Sequence, residues 1–364
     1  MINPKKFIDI LIKKKCNFFT GVPDSCSLEL WKVLKRKKTY VAANEGSAVA
    51  LAIGNYLSNN RLPVVLFQNS GLGNATDPLT NLCSKAAYNI PMLLLIGWRG
   101  APCIKDEPQH VIQGKSLVKI LNLYKIKHFT LGNKLQKDKI NNLINYSMGK
   151  SQPVAILIKP KTFLSFSRKK DFRPKKNSIY RSDVIKKLFK HISNKTKIVS
   201  SVGFNSRELM QMRIENKIKK GKDFYMIGGM GHTFSVSLGL AMNLKQNIVC
   251  LDGDGSFFMH LGSMALNKIL MKNNLKYIVL DNNSHESVGN VSFNYNLNFQ
   301  LFSKAFGFKK FYEVNTISQL KKKFSLFFKS KGPSFLYIKT NTENNKQLIR
   351  PKNLHSIKKK FIIN

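Results

Sequence analysis
Apolar residues fall in two rhythms along this chain. Val64–Phe67, Met92–Ile96 and Val154–Ile158 are unbroken apolar runs of four or five residues, and runs that short without polar alternation predict strands buried on both faces. Between and around them, Pro4–Lys15, Ser27–Leu34, Glu45–Leu57, Thr76–Ala87, Ser116–Leu123 and Leu135–Met148 read as helices, and Asn17–Thr20 reads as a further short strand. Such alternation predicts a mostly parallel sheet with helices on both faces. A charged, proline-containing stretch without periodicity follows at Ser167–Asn177, and it has the character of a linker. The pattern then repeats. Helices are predicted over Arg181–Ile192, Ser206–Met212, Phe234–Met242, Gly262–Met271 and Ile317–Phe328, and strands over Lys197–Val202, Asn247–Leu251, Tyr277–Leu280 and Ser334–Ile338. The expected organisation is an α/β domain over 1–165, a basic linker over 166–179 and a second α/β domain over 180–364, with Lys358–Lys360 in a solvated tail.

A chain of 364 residues is long enough for two domains that each bury a core. No apolar run reaches the roughly 18 residues that span a bilayer. Phe7–Ile12 is interrupted by Asp9 and followed by Lys13–Lys15, so it reads as an amphipathic first helix rather than a signal peptide. Five cysteines (Cys16, Cys26, Cys83, Cys103, Cys250) form no CxxC pair and are expected as reduced thiols in a cytoplasm. The formal charge of +42 raises the question of nucleic acid or an anionic surface. The lysines are spread through the whole chain without interleaved aromatic or glycine motifs, and abundant Lys, Asn and Ile also follow from an AT-biased genome. No specific nucleic acid and no membrane partner are therefore expected.

The chemistry concentrates where two predicted strands end. Cys250–Ser256 closes one strand with Gly-Asp-Gly, and Leu280–Ser284 closes the other with paired asparagines. Asp254 and Asn282 are 28 positions apart, room for one crossover helix and a return strand. Two parallel strands would then present a carboxylate and an amide side by side at their carboxyl ends, where open α/β sheets bind ligands. Hard oxygen ligands beside glycines that admit a phosphate describe a Mg²⁺–diphosphate site. Taken singly, Gly-Asp-Gly is also an ordinary turn and Asn-Asn an ordinary loop start; the pairing carries the reading.

On these residues the chain resembles the thiamine diphosphate enzymes, whose signature joins Gly-Asp-Gly-Ser to Asn-Asn or Asp-Asn at a similar spacing. The resemblance implies two doubly wound parallel-sheet domains, one for the pyrimidine and one for the diphosphate, with no middle domain. It implies Asp254, Asn282 and the Ser284 carbonyl as metal ligands, and Gly253, Gly255 and Ser256 beside the diphosphate. It also implies that Glu45, at the head of the small-residue stretch Ala42–Ala52, hydrogen-bonds the aminopyrimidine of a partner subunit's cofactor, in a homodimer or larger assembly with shared sites. Asn44 and Glu45 are equally good helix-capping residues.

Four strings narrow the family: Gly21–Ser25, Gln68–Asn74, Gly97–Gly100 and Lys105–His110. They look like phosphonopyruvate decarboxylase and its relative sulfopyruvate decarboxylase, as do Ser206–Glu208 and Gly228–His232. By that resemblance Asp24, Ser25 and His110 join Glu45 as candidate catalytic groups. Asn74, Gly229, Met230, Gly231 and His232 are candidate cofactor contacts. Asn69, Ser70, Arg99, Lys105, Arg207 and His285 are candidate substrate contacts, because a dianion in a closed site needs charge-assisted partners. Arg99, Lys105 and Arg207 are also ordinary surface cations in so basic a chain. Two strings depart from the family pattern. Ser201–Asn205 lacks a Thr-Gly, and Ser287–Val291 lacks a threonine and a glutamine, which leaves the anionic group of the substrate open. The implied reaction is decarboxylation of phosphonopyruvate to phosphonoacetaldehyde and CO₂ in phosphonate biosynthesis. The alternatives are sulfopyruvate or another small 3-anionic 2-oxoacid and, more remotely, a non-catalytic basic protein that binds nucleic acid.

Overall fold
The computed structural model describes residues 1–34, 39–165, 177–293, 295–343 and 347–362. The chain divides into two compact units, Met1–Lys169 and Lys170–Asn364. The stretch expected as a linker falls, over 166–176, outside the described residues. Its last residue, Ile179, is buried and accepts from Asn341 N at 2.8 Å, so it already belongs to the second core.

The first unit contains β1 (Phe19–Gly21), β2 (Thr39–Val41), β3 (Val64–Gln68), β4 (Leu93–Gly97), β5 (Lys127–Thr130) and β6 (Val154–Ile158). They form one six-stranded sheet in the order β2-β1-β3-β4-β6-β5, parallel throughout. The unbroken apolar runs became the centre of this sheet, where both faces are covered. Phe67, Leu94 and Ile96 pack against Ala48, Val49 and Ala52 of the helix Glu45–Asn59. That helix starts at Asn44, whose side chain accepts from Ser47 N, the usual way to satisfy a first-turn donor.

The second unit contains β7 (Lys197–Ser200), β8 (Lys222–Tyr225), β9 (Ile248–Gly253), β10 (Leu275–Asp281), β11 (Ser284–His285), β12 (Val291–Ser292), β13 (Lys310–Val314) and β14 (Ser334–Lys339). Six of these make a parallel sheet in the order β13-β14-β10-β9-β7-β8, and β11 pairs with β12 as a small antiparallel ribbon. Leu251, Ile278 and Leu336 of the sheet pack against Leu188 and Phe324. Among the described residues no helix is long and apolar enough to cross a membrane.

Three local expectations are corrected. The Gly-Asp-Gly segment is not a free turn: β9 runs to Gly253, and the helix Asp254–Met259 starts at once. The expected single helix Gly262–Met271 is a 3₁₀ turn, Leu261–Met264, followed by a short helix, Ala265–Leu270. The C-terminal lysines are exposed but lie on a helix, Leu354–Ile362. Its Phe361 is buried, with its ring 5.6 Å from that of Phe224, and its carbonyl accepts from Lys197 Nζ. A buried ammonium that finds the last carbonyls of a helix satisfies both partners.

Candidate active site
In the second unit, β9 and β10 are adjacent, with Gly253 opposite Leu280, so Asp254 and Asp281 leave the sheet side by side. Asp254 is buried. Its Oδ2 accepts from Asn282 N at 3.0 Å and Ser284 N at 3.3 Å, and its Oδ1 accepts from Gly255 N at 2.7 Å. Burial first, and the neighbouring Asp281 second, push the Asp254 carboxyl well above its ordinary value. Burial would also raise Asp281, but the hydroxyl of Tyr337 at 2.6 Å, the backbone N–H of Asn283 and the ammonium of Lys339 hold it down. Two carboxylates at adjacent strand tips are stable together only when a proton or a cation is shared between them.

Asn282 supplies the second half. Its Nδ2 donates to Glu286 Oε2 at 3.0 Å, while its buried Oδ1 has no partner among the described residues. An orphaned amide oxygen beside a carboxylate, in the lining of one cleft, fits a hard cation. Asp254, Asn282 and the Ser284 carbonyl thus make a chemically suitable donor set for Mg²⁺. Among the described residues no three His, Cys, Asp or Glu side chains come together as a metal site, so backbone and ligand oxygens would have to complete the coordination. The cleft is also lined by Gly253, Gly255, Ser256 and Met230.

The reason for one glycine differs from the expectation. A Cβ at Gly255 would lie 2.8 Å from the His285 ring and 3.2 Å from Met230 Cε, so that space is filled by side chains rather than open to a phosphate. The ring of His285 is held neutral, its pKa lowered to about 4 by burial. The loop Gly228–His232 meets the same helix: Gly231 N donates to Ser256 Oγ at 3.1 Å. Gly229 and Gly231 both have positive φ, and His232 is exposed with its ring stacked on His260 at 4.5 Å. Arg207 lies with its guanidinium 5.6 Å from the Phe204 ring. The arginine in the cleft wall is Arg181, for which the sequence held no motif.

In the first unit, Glu45 opens its helix and is buried. Asn74 Nδ2 donates to its Oε2 at 2.7 Å. Burial raises its carboxyl above the ordinary range despite that hydrogen bond. Gly71 is required at this point, because a Cβ there would sit 2.1 Å from Glu45 Oε1.

Arg99 follows β4 and is clamped from both sides. Its Nε donates to Asp106 Oδ2 at 2.7 Å, its Nη2 pairs with Asp106 Oδ1, and its Nη1 donates to Ser25 Oγ at 3.0 Å. Its backbone N–H and C=O both bond to the amide of Asn69, at 3.1 and 2.9 Å. Burial would raise Asp106, but the guanidinium and the backbone N–H groups of Gly100 and Glu107 hold it well below the carboxylate range. Asp24 is buried, and its oxygens accept from Cys26 N at 2.7 Å, Ser27 N at 3.2 Å and the Ser27 hydroxyl. Burial raises its carboxyl. Ser25, Ser70 and Lys105 are exposed, and His110 is half-buried at the end of a 3₁₀ turn, Pro108–His110. Ser70 Oγ accepts from Gln68 Nε2 at 2.6 Å.

Sequence reasoning quoted Asp106 and Glu208 inside motifs without giving them roles, and it overlooked Arg181 and Glu286. A carboxylate retained in so basic a chain is itself a signal that its place is specified.

Comparison with known proteins agrees with this geometry. Residues 5–120 match the family model described as "Thiamine pyrophosphate enzyme, N-terminal TPP binding domain", and residues 201–338 match "Thiamine pyrophosphate enzyme, C-terminal TPP binding domain". A phosphonopyruvate decarboxylase of Streptomyces viridochromogenes is 27% identical over 85% of this chain and 80% of its own length. A sulfopyruvate decarboxylase of Methanosarcina acetivorans is 26% identical over 81% of this chain and 79% of its own. A sulfopyruvate decarboxylase subunit beta of Methanocaldococcus jannaschii is 36% identical over 30% of this chain and 56% of its own.

Proposed function
We propose that this chain, which belongs to the thiamine pyrophosphate enzymes and is a 2-oxoacid decarboxylase, takes phosphonopyruvate and releases CO₂ and phosphonoacetaldehyde. The observation that carries the substrate is the likeness to two phosphonopyruvate decarboxylases over 85% and 87% of the chain. Thiamine diphosphate, when bound, supplies a carbon nucleophile and a sink for the electron pair released with CO₂. Asp254, Asn282 and the Ser284 carbonyl would hold Mg²⁺, and with it the cofactor's diphosphate. Glu45 would hold a proton at its buried carboxyl, where it could hydrogen-bond the cofactor's aminopyrimidine, a role that suits a carboxyl titrating above its usual range. Arg99 and Lys105 attract the anionic end of the substrate. Ser25 receives a hydrogen bond from Arg99, which places its hydroxyl beside that guanidinium.

A second reading, sulfopyruvate, is favoured by one feature. The Arg99 charge is already engaged by Asp106, and a sulfonate monoanion asks for less compensation than a phosphonate dianion. CO₂ release from phosphonopyruvate, sulfopyruvate and pyruvate, each with and without Mg²⁺ and thiamine diphosphate, separates the two. Highest kcat/KM on sulfopyruvate would reverse the assignment.

The assembly we propose is a homodimer or larger. Ser47, Ala50, Leu51, Gly54 and Leu57 form an exposed, largely apolar stripe on the helix that bears Glu45, and Leu51 and Leu57 are 49% and 69% exposed. A compartment that keeps thiols reduced, the cytoplasm, suits its five free cysteines.

A further inference from the structure
Arg181 opens the helix Arg181–His191 and is buried. Its Nε donates to Glu208 Oε2 at 2.6 Å and its Nη1 to Glu286 Oε2 at 2.8 Å, with the Phe204 ring 5.3 Å from its guanidinium. The same Glu286 Oε2 accepts from Asn282 Nδ2 at 3.0 Å, and Glu286 Oε1 accepts from Glu343 N at 2.8 Å. Three donors therefore converge on Glu286. An asparagine amide has one donating end and one accepting end. With its donating end fixed on a carboxylate, its oxygen must face the opposite way, and that oxygen is the buried, partnerless Oδ1.

We propose that the Arg181–Glu286 ion pair is a positioning device for the divalent cation. Locked by Arg181, Glu286 orients the Asn282 amide so that Oδ1 is presented before the cation arrives. The proposal rests on the cation–diphosphate reading of Asp254 and Asn282. Arg181 matters twice. It keeps Glu286 from swinging toward the cation itself, and it shares its single charge between two carboxylates, so the cluster of three keeps a formal negative charge beside the site.

The test is calorimetric titration of Mg²⁺ into the protein with excess thiamine diphosphate, alongside circular dichroism and cation-free melting. Glu286→Leu keeps bulk at this position and removes both acceptor oxygens. Nothing then fixes the Asn282 amide, and its NH₂ can turn toward the cation as readily as its oxygen. Mg²⁺ affinity should fall about ten- to a hundredfold with the fold retained. Adding Asn282→Asp to Glu286→Leu should recover most of that loss, because both ends of a carboxylate accept and an oxygen faces the cation in either orientation. A purely structural salt bridge predicts no such recovery. Wild-type affinity in Glu286→Leu, or no gain in the double variant, overturns the proposal.

If Glu286→Leu does not fold, Asn282→Asp alone decides. Its carboxylate would face Glu286, so its cation-free melting temperature should lie below wild type and rise with Mg²⁺; an unchanged melting temperature overturns the proposal. Absence of Mg²⁺-dependent cofactor binding in the wild type would instead refute the reading of the site itself and take the proposal with it. Normal wild-type binding with an indifferent Glu286→Leu removes the positioning role alone.

Discussion
Glu45 and Asp106 are both carboxylates, and their surroundings drive them in opposite directions. Glu45 is buried with one amide donor, so its proton is held above the usual range. Asp106 accepts two guanidinium and two backbone hydrogen bonds, which overcome burial and hold it well below. Glu45→Gln keeps the shape and removes the transferable proton. We expect kcat to fall about 10²- to 10⁴-fold with the circular dichroism spectrum unchanged, and near-normal turnover would exclude Glu45 from proton transfer. For Asp106 the sign follows from its depressed native pKa. Its clamp is fully present above the unfolded value near 3.9 and is lost as pH falls through the native value. Asp106→Asn should cost about 1–2 kcal/mol at pH 7 and flatten the loss of stability below about pH 4. Urea unfolding at a series of pH values reads both effects.

Among elements, the interior strands were legible and the edges were not. β3, β4 and β6 announced themselves as unbroken apolar runs because both their faces are buried. Within the two main sheets, the strands that escaped the sequence are β2, β5, β8 and β13, which are their four edges; the short ribbon of β11 and β12 escaped it too. Edge strands are half exposed and carry polar residues, as in Lys127-His128, Lys222-Asp223 and Lys310 with Glu313, so the apolar signal is missing. Helix ends shifted for local reasons. Thr76–Ala87 is in fact Leu72–Asn81, entered through the 3₁₀ turn Asn69–Gly71. That turn also brings Gly71 against Glu45, a contact across distant segments that no local pattern reveals. Asp254 and Asn282 were legible because their spacing reflects one crossover, whereas Arg181 and Glu286 meet across 105 positions. Gly71→Ala should displace the Glu45 carboxyl and lower cofactor-dependent turnover sharply while far-UV dichroism holds. Full activity in that variant would mean that the Glu45 carboxyl tolerates movement.

At the scale of the molecule, 61 basic residues face only 19 acidic ones, and eight of those acids are buried among the described residues. The carboxylates persist where geometry demands them, at Asp24, Glu45, Glu208, Asp252, Asp254 and Asp281, while the exposed surface is dominated by lysine. A surface of one sign, whatever its origin, raises the local concentration of an anionic substrate. The consequence is measurable without altering any residue. If the field steers a multiply charged 2-oxoacid, kcat/KM should fall steeply as salt rises from 0.01 to 0.3 M, about the range in which screening shortens from roughly 30 Å to below 10 Å. kcat should stay level, since the groups that touch substrate are screened least. Pyruvate, with one charge, should show the shallower slope. Equal, flat slopes for both substrates would mean that the charge of +42 reflects composition alone and that recognition of the anion rests on local groups such as Arg99.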